Sequence, residues 1–153
     1  KLRKMAVNDD NSTVRSNAIV ALRDLINDYE FFERIIGTDQ SYMVVNAAMN
    51  SLPLSDYSPS EKDSILKPGE TCTGNSDIYV FLCNEYSKHF DNIHLQFFHK
   101  APYVMAKSDI SSYFNAYGLY LQNLGLEVIS TEFRFVKREF TIWNQNKDIK
   151  IQN

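Results

Sequence analysis

Residues 5–25 (MAVNDDNSTVRSNAIVALRDL) and 34–52 (RIIGTDQSYMVVNAAMNSL) read as two copies of one helical unit set about 29 residues apart. Laid on one another, they pair Asp10 with Asp39, Ser12 with Ser41, Val14 with Met43, Asn17 with Asn46 and Ala18 with Ala47. Each copy is the end of a short apolar helix, an Asp-containing polar turn, a Ser cap and a longer helix rich in Ala, Val and Leu. A unit of this size cannot bury its apolar face alone, so it stacks on its neighbours as a solenoid. The expected fold is all-α, a right-handed α-solenoid of helix pairs.

At 153 residues the chain suffices for one ordinary core, and it reads as a single helical-repeat domain over 1–153. Within it, 1–54 is the clearest repeat pair, 53–75 an irregular connection and 76–153 further helices. A hydrophobic share of 44% with 23% charged residues excludes a disordered chain. The net charge of −3 supplies no field for nucleic acid or an anionic bilayer, so neither is expected as a partner. No apolar run approaches the roughly 18 residues of a membrane span and no signal peptide opens the chain, so a soluble, cytoplasmic or periplasmic protein is expected. The chain opens on Lys1 rather than Met, as a processed product or a piece of something longer does. Cys72 and Cys83 lie outside any zinc-type CxxC spacing, which leaves two free thiols or one incidental disulfide.

Along the chain, 1–8 reads as a helix end, and Ser12 as the N-cap of a helix to about Asp28. Its buried stripe is Val14, Ala18, Leu22 and Leu25, with Arg15 and Arg23 facing solvent. Phe31, Phe32, Ile35 and Ile36 form a short helix ended by Gly37, and Ser41 caps the next. Prolines and glycines punctuate 53–75, with room for one short helix near 60–66. Asp77 then caps a helix carrying Ile78, Phe81, Leu82, Tyr86 and Phe90. Ser108 or Asp109 opens another, with Ile110, Phe114, Tyr117, Leu121 and Leu124 on one stripe and Gly125 as its stop. Beyond it, Phe133, Val136, Phe140 and Trp143 have helical spacing, while Phe133, Phe135 and Ile142 with the NQNK turn suit a β-hairpin. An α+β protein with a C-terminal β-hairpin is thus the alternative fold class.

No residue set announces a reaction. His89, His94 and His99 recur every five positions, a step that rotates them about 140° apart on a helix and reverses faces on a strand, so they do not converge on one metal. Asp9, Asp10, Asp91 and Asp109 sit at helix boundaries, where a carboxylate caps free N–H groups. Gly69 and Gly74 with Thr71 and Thr73 lack the spacing of a phosphate loop. Lys137 and Arg138 beside Phe135 and Phe140 suit a solvated helix face better than base stacking, given the acidic balance. The sequence therefore nominates no catalytic, cofactor-binding or metal-ligating residue.

The residues FFERIIGTDQSYMVVNAAMNSL (31–52), preceded by NDDNSTVRSNAIVALRDL, resemble the C-terminal helical domain of zinc aminopeptidases of the aminopeptidase N family, itself similar to HEAT and armadillo repeats. Asp39, Ser41, Tyr42, Val44, Ala47, Ala48 and Leu52 carry that pattern, while Asp10, Val14, Arg15, Ala18 and Leu22 match the general HEAT form, in which Asp and Arg stabilise the inter-helix turn. The family's H-E-x-x-H zinc signature and Gly-rich exopeptidase motif have no counterpart here, so no functional residue carries over. The resemblance implies a non-catalytic HEAT-like domain that shapes access to an active site outside this chain. Its partner would be the catalytic domain of the same polypeptide, with zinc bound there and peptide substrate touched only indirectly. The alternative is a stand-alone helical-repeat module that binds another protein, its surplus Tyr and Phe serving as anchors.

Overall fold

The computed structural model describes residues 1–72, 75–125, 127–129, 132, 137–138 and 141. Among these every regular element is helical, which makes the fold all-α. The chain divides into two compact units, Lys1–Thr73 and Gly74–Asn153. Residues Phe133, Val136, Phe140 and Trp143, on which the choice between helix and β-hairpin turned, lie outside the described residues.

The first unit opens with two helical hairpins, α1 (Leu2–Asn8) with α2 (Ser12–Arg23), and α3 (Tyr29–Thr38) with α4 (Tyr42–Met49). The hairpins stack through α2 against α4. Ala6, Ala18, Ile19 and Leu22 of the first and Phe32, Ile35, Ile36, Val44, Ala48 and Met49 of the second form the core. After α4, a 3-10 turn at Leu54–Asp56 leads to α5 (Pro59–Leu66) and a 3-10 stretch, Lys67–Thr71. The start of α5 is fixed by a capping box, Ser58 and Glu61 each bonding the other's backbone, with Pro59 at the first helical position.

The repeat is real in this unit, but its period is one residue longer than the sequence alignment gave. Asp9 and Asp39 are the C-caps of α1 and α3, their N–H groups reaching Met5 O and Ile35 O. Asn11 and Ser41 are the following N-caps. Equivalent residues are thus 30 apart, pairing Asp9 with Asp39 (9 + 30) and Ala18 with Ala48 rather than with Ala47. The tandem Asp9-Asp10 allowed either register, and the Ser12–Ser41 match selected the wrong one. Ser12 is accordingly not the N-cap: Asn11 is, its side chain accepting Thr13 N–H. Gly37 is not a helix stop either, because α3 runs on through Thr38.

Arg15 is the largest departure from expectation in this unit. It does not face solvent. Its Nε and Nη2 donate to the two Asp39 carboxylate oxygens at 2.8 and 3.0 Å, and its Nη1 donates to the Asp9 and Asp10 carbonyls at 2.9 and 3.3 Å. One side chain closes its own turn and clamps the next hairpin.

The second unit is built on α6 (Ser76–Tyr86), α7 (Leu95–Val104) and α8 (Ile110–Leu124), packed pairwise. Asn75, not Asp77, caps α6, accepting Ile78 N–H. That helix ends at Tyr86, so Phe90 lies past it and is exposed. On α8 the buried stripe is Tyr113, Ala116, Tyr117 and Tyr120, rotated from the expected one and sharing only Tyr117 with it. Phenols can take core positions here because each hydroxyl finds an acceptor or donor. Pro102 stands inside α7 and has no N–H for the Phe98 carbonyl four residues back. The Tyr113 hydroxyl donates to that carbonyl at 2.8 Å and repairs the break. Gly125 ends α8 at φ +98°, ψ 170°, a region open essentially to glycine alone.

Candidate functional site

The turn between α6 and α7, residues 87–94, combines tight anchoring with exposed apolar surface. Local N–H groups serve the Asn92 and His94 carbonyls, but those of Ser87, His89 and Asp91 take donors from α8. Asn123 of α8 supplies one amide to Ser87 O at 2.9 Å and His89 O at 3.3 Å. The Tyr120 hydroxyl donates to Asp91 O at 2.6 Å and accepts His94 N–H at 3.1 Å. Asp91 turns back to accept Ile93 N–H at 3.2 Å.

Beneath the turn lies a ring cluster. His94 stacks on Tyr86 with centroids 3.8 Å apart, and His89 meets His94 edge-on at 4.5 Å. Phe97 abuts the Tyr86 ring at 4.9 Å. Both histidines are buried. Above the turn, Phe90 is 78% exposed and Ile93 60% exposed. The turn thus alternates, with His89 and His94 packed inward and Phe90 and Ile93 left outside.

A second polar cluster in this unit centres on Glu132. One of its carboxylate oxygens takes both the Tyr117 hydroxyl and His99 Nε2, each at 2.6 Å. Burial and the Glu132 carboxylate together hold the Tyr117 phenol protonated far above its usual range. Tyr117 is therefore a fixed donor, and the arrangement suits holding helices in place rather than moving a proton. Burial likewise pushes the Tyr113 phenol up, and pushes the Cys83 thiol up to about 12.

The first unit carries a cleft of about 220 Å³ bordered by Asp39, Gln40, Tyr42, Thr71 and Cys72. Its chemistry is unpromising for nucleophilic attack. Burial and the nearby Asp39 carboxylate both raise the Cys72 thiol, the reverse of what an activated cysteine requires. Asp39 is itself committed: burial pushes its carboxyl up, but bonds from Arg15 and from the Ser41 and Gln40 N–H groups outweigh that and leave it below the usual carboxylate range.

The residues singled out in the sequence mostly have architectural posts. Asp9 accepts Asn11 N–H at 3.0 Å, and Asp91 performs the same service within its turn. Asp109 is the N-cap residue of α8 but makes no side-chain cap bond; it accepts the Ser76 hydroxyl, which in turn accepts Ala106 N–H. Both described cysteines are free thiols. Missed by sequence reasoning were Asn123, Tyr120 and Glu132, the first because a lone Asn on a helix carries no signal. The spacing of Tyr113, Tyr117 and Tyr120 at i, i+4 and i+7 was a legible signal that the apolar count overrode. Among the described residues no helix is long and apolar enough to cross a membrane. No protein-family model matches the chain, and no curated protein or solved structure is significantly similar to it.

Proposed function

We propose that this chain is a non-catalytic helical-repeat module that binds another protein, with Phe90 and Ile93 as its anchor. The observation that carries the reading is the pairing of exposure with rigidity at the α6–α7 turn. Large apolar side chains standing in water gain about 25 cal/mol per Å² when covered. A turn already pinned by Asn123 and Tyr120 loses little conformational freedom on docking, so more of that gain appears as affinity. Aromatic anchors of this kind dominate binding energy at protein interfaces.

The test places a photo-cross-linking amino acid at Ile93 in the full chain expressed in its own host. One discrete adduct is expected, lost in Phe90→Ala, while the melting midpoint of that variant stays unchanged because the ring is exposed. An adduct indifferent to Phe90, or no adduct, overturns the anchor. Turnover of aminoacyl reporters by the purified chain above a heat-inactivated control overturns the non-catalytic assignment.

A second reading, the C-terminal domain of a zinc aminopeptidase, draws on the Asp39-to-Leu52 pattern, whose Val44 and Ala48 on α4 and Leu52 just past it are buried. The partner would then be the catalytic domain of the same polypeptide, holding the zinc. An H-E-x-x-H encoded in frame upstream of Lys1 supports it, and a stop codon immediately upstream sinks it.

A further inference from the structure

The two helical hairpins of the first unit are equivalent at a 30-residue offset, and the equivalence leaves one position unfilled. Asp39 accepts Ser41 N–H on one oxygen at 2.8 Å, and both of its oxygens bind Arg15 from the preceding hairpin. Asp9 is its counterpart and accepts Asn11 N–H in the same way. Among the described residues no lysine or arginine forms an ion pair with the Asp9 carboxylate. Where Asp39 meets Arg15, Asp9 instead borders an open cleft of about 320 Å³, with Lys1, Lys4, Met5 and Asn8.

Burial along the second helices points the same way. Ala47 of α4 and Ser51 just past its end are buried, and α4 packs on α2, whose Ser16 bonds the Met43 carbonyl at 3.3 Å. Their counterparts on α2, Asn17 and Ala21, are exposed. Ala21 is small, as close helix approach requires. The α1/α2 hairpin therefore presents outward the same kind of face that the α3/α4 hairpin presents to it.

We propose that this face docks a further helical hairpin whose second helix carries an arginine at the Arg15 position, its guanidinium forking onto the Asp9 carboxylate. Guanidinium recognition follows from the fork geometry already present at Asp39, which lysine cannot reproduce. The proposal deepens the interaction-module reading and rests on it, adding a second surface in the other unit and the chemistry of what it binds.

The chain supplies its own probe. Duplicating residues 1–30 ahead of the full chain keeps the 30-residue register, so the added arm's Arg15 arrives 24 positions before the original Asp9, the spacing of Arg15 to Asp39. The expected result is a melting midpoint raised by about 5 °C or more. Asp9→Asn in the original copy, or Arg15→Gln in the added arm, should each remove most of the rise. The same Asp9→Asn change in the unduplicated chain keeps the acceptor for Asn11 N–H and should lower its midpoint by far less, about 1–2 °C, through the lost attraction to Arg15. An unchanged midpoint in the tandem chain, or a rise indifferent to both substitutions, overturns the proposal. The tandem reads only the first unit and the Phe90 cross-link only the second, so the two readings fail separately.

Discussion

The two units solve the same problem, ending and joining short helices without leaving buried polar groups unbonded, with different chemistry. In the first, a charged side chain does it: Arg15 satisfies two turn carbonyls and the Asp39 carboxylate, and small or aliphatic residues such as Ala6, Ala18, Val44 and Ala48 make up much of the core beside Phe31 and Phe32. In the second, phenols and one amide do it: Tyr113, Tyr120 and Asn123 donate to the carbonyls of Phe98, Asp91, Ser87 and His89. Guanidinium closure leaves room for close Ala-mediated stacking. Phenol closure requires that rings fill the core, and the ring stacks of the second unit follow from that.

The sharpest way to break this contrast is to hollow out the ring core. Phe98 is fully buried, stacked on Tyr117 at 5.0 Å and on Tyr120 at 4.9 Å. Phe98→Ala should cost about 3–5 kcal/mol, read as lost near-ultraviolet dichroism and a lower urea midpoint. A loss below about 1 kcal/mol would mean that the rings are not what holds the unit.

The next effect is electrostatic and falls on the first unit. The Arg15 and Asp39 side chains are 15% and 12% exposed. Asp39→Asn should cost about 2 kcal/mol, a loss typical of bonds to charged groups. Arg15→Lys should recover little of the equivalent loss, because the bidentate geometry goes. The two units should also respond to opposite extremes of pH. The folded Asp39 carboxyl lies below its unfolded value, so its stabilisation is present above about pH 4 and is lost as pH falls through the folded value. The Tyr113 and Tyr117 phenols lie above theirs, so their contribution is intact below about pH 10 and is lost as pH rises beyond it. Histidine and tyrosine resonances followed through acid and base titrations should show the first unit yielding in acid and the second in alkali. Tyr57, whose phenol is raised by burial and by Glu33, gives the first unit a smaller alkaline response of its own.

Two smaller effects sharpen the register. Ala48 is fully buried while Ala47 retains 9% exposure, so Ala48→Leu should overpack the hairpin stack by about 1–3 kcal/mol and Ala47→Leu by less. Equal costs at the two positions would restore the 29-residue alignment. Asn75→Ala should cost about 1 kcal/mol by removing the α6 cap, and Asp77→Ala a few tenths, as measured by denaturant midpoints.

The sequence made the first unit legible because its repeat leaves a signal at two places at once. It blurred by one residue only because Asp9 and Asp10 are adjacent, and the period of a repeat cannot be read more finely than its markers. Arg15 was misplaced by the helical wheel, which sees a charge beside an apolar stripe and assigns it to water. Only the two copies together reveal an acid on the next unit for it to meet. The candidate site was less legible. Phe90 was assigned to α6 because apolar spacing continues past Tyr86, and nothing local announces that Asn123, some thirty residues on, holds the chain in a turn there. Tyrosine burial depends on finding a partner for each hydroxyl, and those partners are carbonyls on other helices, which no single-helix pattern contains.

The repaired break in α7 also bears on how the chain emerges from the ribosome. Until residue 113 is synthesised and docks, the Phe98 carbonyl has only water to bond, because Pro102 offers no donor. The α7 ladder therefore lacks one bond at that carbonyl for as long as α8 is absent. The bond that fills the gap comes from a residue made later, so the finished α7 ladder depends on α8 and is not complete in the order of synthesis.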